Sequence, residues 1–274
     1  MSITIDLSDQ VALVTGGTRG IGQAIVRQML EAGARVAFCA PEADECAARA
    51  AEFASLPGMS DRVMGMAANL RDRASLAALV KAVGARWGHI DSLICNAAEF
   101  GVPSRVEDVD PDIYMRLLQS NVVGNFHLCQ QVVPGMLERG AGSITIVTSI
   151  VGYTTMPTNI PYSSSKAALA SMARSLAAAY AGQGIRVNCV SPGLFRTEAS
   201  RDIWDDPSLL EDYVTRLVPM LRIAEPSELA GACVFLASPM ASYITAATLA
   251  VDGGRLGIGL QAGSARQIGK PRPV

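Results

Sequence analysis

The sequence lacks the charge and hydrophobicity patterns that mark several large classes of protein. It contains no run of Lys and Arg, and its formal net charge is −2, so a basic surface for nucleic acid or an anionic membrane is not expected. None of its apolar runs reaches the roughly 18 residues that a membrane helix needs, and its first ten residues have no signal-peptide pattern. We expect a cytoplasmic protein with no nucleic-acid and no membrane partner.

The six cysteines lack the spacing of a metal site or a disulfide framework. No C-x-x-C pair occurs, and no His stands near a Cys at the spacing of metal ligands. We therefore expect reduced thiols in the core and no metal site.

Half of the 274 residues are apolar, and short β-branched runs alternate with Ala- and Leu-rich segments of helical period. This alternation predicts an α/β fold, a doubly wound parallel sheet of about seven strands with helices on both faces, in a single domain. The predicted strands are Gln10–Val14, Arg35–Ala40, Arg62–Ala67, Ser92–Asn96, Ser143–Thr148, Arg186–Val190 and Thr248–Val251, and the predicted helices are 20–32, 42–55, 72–87, 111–137, 161–182 and 226–237.

Two segments depart from the alternation. Residues 194–221 mix aromatic, acidic and proline residues, which favours a substrate loop, with an ordinary surface excursion as the alternative. Residues 255–274 have little apolar periodicity, so this tail is expected to be disordered or to lie at an oligomer interface. The domain itself is predicted to span residues 1–254.

A glycine-rich turn follows the first predicted strand and precedes a helix. It reads Thr-Gly-Gly-Thr-Arg-Gly-Ile-Gly over residues 15–22. Glycines let backbone N–H groups approach a pyrophosphate, which a helix N-terminus then stabilises, as in Rossmann-type dinucleotide-binding folds. The spacing G-x-x-x-G-x-G differs from the general G-x-G-x-x-G, so a glycine-rich turn without a ligand is the alternative.

Tyr162 and Lys166 stand four residues apart near the start of a predicted helix, so both side chains can face one site. A free phenol has a pKa of about 10, and a fixed cation nearby lowers that pKa. Tyr162 could then accept a proton from an alcohol or give one to a carbonyl group. A structural Tyr with a solvated Lys is the alternative.

With the glycine-rich turn, the Y-x-x-x-K pair near mid-chain and its single-domain length, the sequence resembles the short-chain dehydrogenase/reductase family. Further segments are similar to that family's motifs: Cys95–Ala98, Asn121–Gly124, Ile146–Ser149, Ser191–Thr197 and Arg222–Gly254. The resemblance implies an NAD(P)-dependent oxidoreductase that interconverts a secondary alcohol and a ketone, of the carbonyl reductase or alcohol dehydrogenase type. It also implies a homodimer or homotetramer.

The resemblance also implies a role for each residue of a catalytic set. Ser149 would hydrogen-bond the substrate oxygen, and Asn121 would hold a water that links Lys166 to solvent. Lys166 would also bond the nicotinamide ribose beside Tyr162. The cofactor-binding residues that the family implies are Gly16, Thr18, Arg19, Gly20, Ile21, Gly22, Ala40, Asn69, Leu70, Asn96, Ala97, Ala98, Tyr162, Lys166, Pro192, Gly193, Phe195 and Thr197.

The sequence departs from the family pattern at two of these positions. Ala98 stands where the family has Gly, which adds a Cβ close to the cofactor, and Asn69 stands where an acid is usual. Asn69 can still hydrogen-bond an adenine.

The choice of nicotinamide cofactor depends on the end of the second strand. An acid there binds the ribose 2′-hydroxyl of NAD, but this sequence has Ala40 and Pro41. Arg19 could pair with a 2′-phosphate, so NADP is predicted. NAD is the alternative, with Glu42 or Asp44 folding back to the ribose.

The predicted substrate pocket is mostly apolar, which indicates a neutral or partly hydrophobic small-molecule alcohol or ketone. An epimerase or dehydratase of the extended relatives and a catalytically silent dinucleotide-binding scaffold or sensor are the competing hypotheses. Loop arginines facing a carboxylate substrate are a weaker alternative. The residues predicted to line the pocket are Ser149, Val151, Tyr153, Met156, Tyr162, Leu194 and Trp204.

Overall fold

The computed structural model describes residues 4–154 and 156–257. Its centre is a seven-stranded parallel sheet with the strand order β3-β2-β1-β4-β5-β6-β7, which confirms the predicted fold class. The strand order reverses between β1 and β4, so a crevice opens at the carboxyl ends of these strands. The strands are β1 (Val11–Thr15), β2 (Arg35–Ala40), β3 (Val63–Ala67), β4 (Ser92–Cys95), β5 (Gly142–Val147), β6 (Ile185–Pro192) and β7 (Thr248–Val251).

Two apolar clusters cover the two faces of the sheet. One joins the central strands to helices α1, α2 and α9, and the other joins them to α3, α5 and α6. Strands such as β1 are therefore buried on both sides, which explains their continuously apolar sequence. The helices are α1 (Gly20–Glu31), α2 (Ala43–Ala54), α3 (Arg73–Trp87), α4 (Pro111–Leu118), α5 (Asn125–Arg139), α6 (Ile160–Tyr180), α7 (Arg201–Trp204), α8 (Pro207–Leu217) and α9 (Pro226–Ala237).

The six cysteines are all buried and free, as the sequence predicted. Among the described residues, no helix is both long enough and apolar enough to cross a membrane.

The predicted helix 111–137 is interrupted. α4 ends at Leu118, a π-helical segment occupies Gln119–Gly124, and α5 then continues to Arg139. Gly124 permits this packing, because a Cβ there would lie 2.3 Å from the carbonyl oxygen of Leu70. Hydrophobic periodicity cannot show such a wide turn, because the apolar face continues across it.

The segment 194–221 is ordered around its own small apolar cluster. Val214, Val218 and Ile223 are buried there against partly buried neighbours, and the segment contains the short helices α7 and α8. Asp206 caps α8 by accepting the Ser208 and Leu209 N–H groups. Of the predicted tail, residues 258–274 lie outside the described residues.

Candidate active site

A cavity of about 600 Å³ lies at the carboxyl ends of the central strands, at the switch in strand order. Most of the predicted cofactor residues line it. Those that the structure brings together there are Gly16, Thr18, Arg19, Gly20, Ile21, Gly22, Ala40, Asn69, Leu70, Asn96, Ala97, Ala98, Tyr162, Lys166, Pro192 and Thr197.

The glycine-rich turn packs directly against the start of α1. Gly16 and Gly20 adopt φ values of +69° and +55°, which favour glycine. A Cβ on Gly22 would lie only 1.9 Å from the Gly16 carbonyl oxygen. Asn96 fixes the same turn, since its Nδ2 donates to the carbonyl oxygens of Thr15 at 2.9 Å and of Gly16 at 3.3 Å.

The start of α1 suits an anionic ligand. Its N-cap residue, Arg19, makes no side-chain capping hydrogen bond, and the first turn contains no acidic residue. The N–H groups of that turn therefore remain available at the cavity wall, which fits the pyrophosphate of a dinucleotide.

Lys166 belongs to the cavity lining, although its side chain is only 2% exposed. Its Nζ lies 5.5 Å from the centroid of the Tyr162 ring and donates to the Val147 carbonyl oxygen at 2.9 Å. An ammonium group has three N–H donors, and within the described chain this is its one hydrogen bond. Because Lys166 lines the cavity, hydroxyl groups of a ligand such as a nicotinamide ribose could accept hydrogen bonds from the remaining donors.

Burial shifts both titratable groups of α6 toward their neutral forms. It raises the pKa of Tyr162 to about 12, and a hydrogen bond with Ser149 opposes that rise. It lowers the pKa of Lys166 to about 8. The sequence led us to expect a phenol with a lowered pKa, but in the protein alone desolvation outweighs the opposing effect of Ser149 on the pKa of Tyr162.

Asn121 lies in the π-helical segment and is completely buried. Its Oδ1 accepts the Glu99 N–H at 2.7 Å, and its Nδ2 donates to the Glu99 carbonyl at 2.9 Å and to Ser165 Oγ at 3.1 Å. The side chain thus ties the segment after β4 to α6. These bonds use both N–H donors and one oxygen lone pair of the amide, and the water-holding role that the resemblance implies for Asn121 stays a prediction.

Phe100 and Asn159 are among the residues at the site that the sequence did not predict. Phe100 lines the cavity, with its ring centroid 4.7 Å from that of Tyr162. Asn159 caps α6, because its Oδ1 accepts the Tyr162 N–H at 3.2 Å. Asn159 was detectable as an N-cap residue just before Ile160 and Pro161, and Phe100 follows the strand end at which a ligand crevice is expected.

Some predicted site residues are not brought to the cavity. Phe195 is 3% exposed within the core, and Gly193 packs against Asp252. The Tyr153 hydroxyl lies 2.8 Å from Thr248 Oγ1, on the side of β7. Trp204 donates to the Thr197 carbonyl at 2.7 Å and stands behind the cavity wall.

The remaining substrate-pocket predictions fall close to the site without lining the cavity. Ser149 is buried, and its side chain lowers the pKa of Tyr162, which places it near the phenol. Val151 and Leu194 are partly buried, with Leu194 in the apolar cluster of the 194–221 segment. Met156 is also partly buried, in the connection that leads to α6.

The fold and the cavity together are those of a dinucleotide-binding α/β protein, and Tyr162 and Lys166 belong to the cavity lining. A family model described as enoyl-(acyl carrier protein) reductase matches residues 16–255. The chain is 38% identical to dehydrogenase/reductase SDR family member 4 of Bos taurus, over 91% of this chain and 88% of that protein. It is 36% identical to a D-threitol dehydrogenase of Mycolicibacterium smegmatis, over 93% and 96% of the two chains.

Solved structures agree with these sequence matches. A gluconate 5-dehydrogenase from Burkholderia cenocepacia in complex with NADP and tartrate superposes with a TM-score of 0.86 at 30% identity, covering 93% of this chain and 98% of that one. The Pseudomonas aeruginosa RhlG/NADP complex gives a TM-score of 0.86 at 32% identity, covering 93% and 100%. The chain belongs to the short-chain dehydrogenase/reductase family. It is an NAD(P)-dependent oxidoreductase that interconverts alcohols and ketones.

The close approach of α1 to the glycine-rich turn can be tested with a pair of glycine substitutions. We expect Gly22→Ala to lower the free energy of unfolding by about 1–3 kcal/mol and to weaken nucleotide binding, because its Cβ overlaps the Gly16 carbonyl. Gly84→Ala in α3 is the matched control, since its Cβ meets nothing within 4 Å. That variant should be more stable than the wild type by about 0.5–1 kcal/mol. Urea denaturation and NADPH fluorescence titration measure both effects, and a fully stable Gly22→Ala that binds NADPH normally contradicts the geometry.

Burial of the Lys166 ammonium predicts a pH-dependent stability. The folded-state pKa of about 8 lies below the usual 10.5, so between these values the unfolded chain binds more protons than the folded one. Stability relative to Lys166→Met should therefore rise as the pH increases from 8 to 10.5, by at most about 1.4 kcal/mol per pH unit. Urea unfolding of both proteins without nucleotide measures this difference. A difference that is flat or falls with pH would argue against a buried ammonium.

Proposed function

We propose that Tyr162 is the general acid and base of this oxidoreductase, supported by Ser149, Lys166 and Asn121. The observation that carries the proposal is the geometry at the cavity, which Tyr162 and Lys166 both line, with the Lys166 ammonium 5.5 Å from the ring centroid; the Ser149 side chain acts on the pKa of the same phenol. When bound, the nicotinamide cofactor supplies the hydride for a carbonyl carbon or accepts one from an alcohol carbon.

The protonation state of Tyr162 suits carbonyl reduction. With a pKa of about 12, the phenol carries its proton at neutral pH and can donate it to a carbonyl oxygen. The Ser149 hydroxyl lies beside it, where it can donate a second hydrogen bond to that oxygen. Lys166 retains its charge below its pKa of about 8 and then stabilises the phenolate that remains.

In this scheme Asn121 acts as a positioning residue. Its amide joins the backbone of Glu99 to Ser165, which immediately precedes Lys166. The bond to Ser165 fixes the part of α6 that holds the ammonium group relative to the cavity wall. Loss of this amide would leave two backbone groups of Glu99 without their partner.

We further propose that NADP is the preferred cofactor, with NAD as the alternative. The end of β2 presents Ala40 to the cavity rather than a carboxylate, and Arg19 is exposed at the same end. Within the described residues Arg19 forms no ion pair, so its guanidinium is available for a 2′-phosphate. Two solved relatives contain NADP. Glu42 also lines this end and is the acid that would favour NAD.

We assign residues 1–254 to the catalytic domain and the segment 194–221 to its substrate loop. Thr197, Glu198 and Ala199 of this segment line the cavity, and α7 and α8 cover them from outside. We propose a neutral, partly hydrophobic secondary alcohol or ketone as substrate, because the apolar side chains of Ala97, Ala98 and Phe100 line the cavity.

A homodimer or homotetramer is proposed from the apolar side chains that the described chain exposes on its long helices and last strand. Met115 on α4 is 62% exposed, and Phe126 on α5 and Leu249 on β7 are exposed as well. Apolar side chains grouped on such elements are typical of subunit interfaces. The cytoplasmic location stays a prediction.

The general acid can be tested by removing one hydroxyl group. We expect Tyr162→Phe to lower kcat for ketone reduction by about 10²–10⁴-fold, because no other described group at the phenol position can donate that proton. The Kd of the cofactor should stay within about twofold, since the ring and Lys166 remain. Tyr180→Phe, at the far end of the same helix, is the control and should keep wild-type activity. Retained turnover in Tyr162→Phe would refute the proposed mechanism.

The cofactor preference depends on one exposed guanidinium. We expect Arg19→Ala to weaken NADPH binding by about tenfold and NADH binding by less than about twofold, because only NADPH carries the 2′-phosphate. Arg27→Ala on the same helix is the control, because Arg27 pairs with Glu52 outside the cavity. Fluorescence titration at moderate salt measures each Kd. Tighter binding of NADH than NADPH by the wild type would show that the preference is for NAD.

A further inference from the structure

Phe100 forms the cavity wall next to the proposed proton donor. Its ring centroid lies 4.7 Å from that of Tyr162, and the two ring planes are inclined by 58°. The side chain is 38% exposed and lines the cavity, so one part of the ring covers the phenol and another part faces the ligand space. A substrate whose carbonyl oxygen reaches the Tyr162 hydroxyl must place one of its substituents close to this ring.

The backbone of Phe100 is held in place by a buried amide. Asn159 is 2% exposed, and its Nδ2 donates to the Phe100 carbonyl oxygen at 2.8 Å. The Oδ1 of the same amide accepts the Tyr162 N–H. A second link joins the two connections, because the Ser104 N–H donates to the Thr158 carbonyl at 2.8 Å. The Asn159 amide therefore holds the backbones of both Phe100 and Tyr162. Their aromatic contact is supported by these hydrogen bonds.

The charge beside Phe100 is compensated. The Glu99 carboxylate lies 3.5 Å from the Arg71 guanidinium and 3.1 Å from that of Arg116. The Glu99 N–H donates to Asn121 Oδ1, and the Glu99 carbonyl accepts from Asn121 Nδ2. These contacts hold the carboxylate with its cations, so the Phe100 ring is the apolar part of a wall that Glu99 and Arg71 also line.

We propose that Phe100 is a substrate-contacting residue that selects ketones with a flat, apolar substituent, an aryl group above all, against polyhydroxylated ones. An aryl substituent gains an aromatic contact with the Phe100 ring. A hydroxylated substituent loses water against the same ring and finds no hydrogen-bond acceptor on it. The proposal rests on the proposed role of Tyr162, because that role places the carbonyl group beside the ring.

The test compares three ketones that differ in the substituent that would meet the ring. Acetophenone presents an aryl group, butan-2-one a short alkyl group and erythrulose a hydroxylated chain. Steady-state kcat/KM is measured for each with the nicotinamide cofactor that binds more tightly. The variants are Phe100→Ala, Phe100→Leu and the control Val102→Ala, which changes an exposed residue of the same connection outside the cavity lining.

The wild type should prefer acetophenone to erythrulose. We expect Phe100→Ala to lower kcat/KM for acetophenone by about tenfold, mainly through KM, and to change that for butan-2-one by less than about twofold. Phe100→Leu should lose about threefold on acetophenone, because it keeps the apolar surface and loses the aromatic contact. Val102→Ala should match the wild type on all three ketones.

Three results would overturn the proposal. The first is a wild type whose kcat/KM for acetophenone does not exceed that for erythrulose. The second is a Phe100→Ala variant whose kcat/KM falls equally for acetophenone and butan-2-one. The third is a Phe100→Ala variant whose kcat/KM falls for neither of these two ketones. Cofactor Kd and melting temperature, measured for each variant, show whether an equal loss comes from a damaged fold. Turnover retained by Tyr162→Phe, together with an altered ketone ratio in Phe100→Ala, would refute the mechanism alone and leave the role of Phe100 standing.

Discussion

The buried ammonium of Lys166 is the constraint on which the rest of the site depends. A cation that is 2% exposed, with a backbone carbonyl as its protein partner, is unfavourable, and its pKa falls to about 8 as a result. The protein can hold it there because α6 packs along its length against the sheet through Leu169, Ala173 and Ala177. The packing of α6 thus holds the Lys166 ammonium in place, although only one of its three N–H donors is bonded to the described protein. A ligand with hydroxyl groups at this place would supply what the core does not.

The same burial sets the starting state of the chemistry. Desolvation raises the pKa of Tyr162 and lowers that of Lys166, so it acts on both groups in the direction of neutrality. A phenol with its proton in place is a proton donor, and an ammonium with a pKa of about 8 is still mostly charged at neutral pH. The shift of Tyr162 therefore favours the protonated phenol that carbonyl reduction would use first, whereas the shift of Lys166 opposes its charge without removing it at neutral pH. Oxidation of an alcohol requires the opposite state of the phenol, which needs further positive charge near the ring.

Local sequence patterns predicted the parts of the structure that local physics determines. The buried strands are continuously apolar, and the glycine-rich turn has the residues that its backbone angles require, so both were predicted from short segments. The π-helical segment and the contacts of Asn121 and Phe100 depend instead on how α6 packs against the connection after β4. Sequence spacing contains no information on that packing. For the same reason Tyr153 was predicted to face the pocket, whereas its hydroxyl bonds Thr248.

The connection after β4 joins the two ends of the cavity. Asn96 bonds the glycine-rich turn, Glu99 bonds Asn121, and Phe100 packs on Tyr162, all within five residues. A displacement of this short segment would therefore alter the glycine-rich turn and the proposed proton donor together. Ala98 lies in the middle of the segment, where it is exposed and lines the cavity. The added Cβ consequently changes the shape of the cavity and leaves in place the hydrogen bonds that connect its two ends.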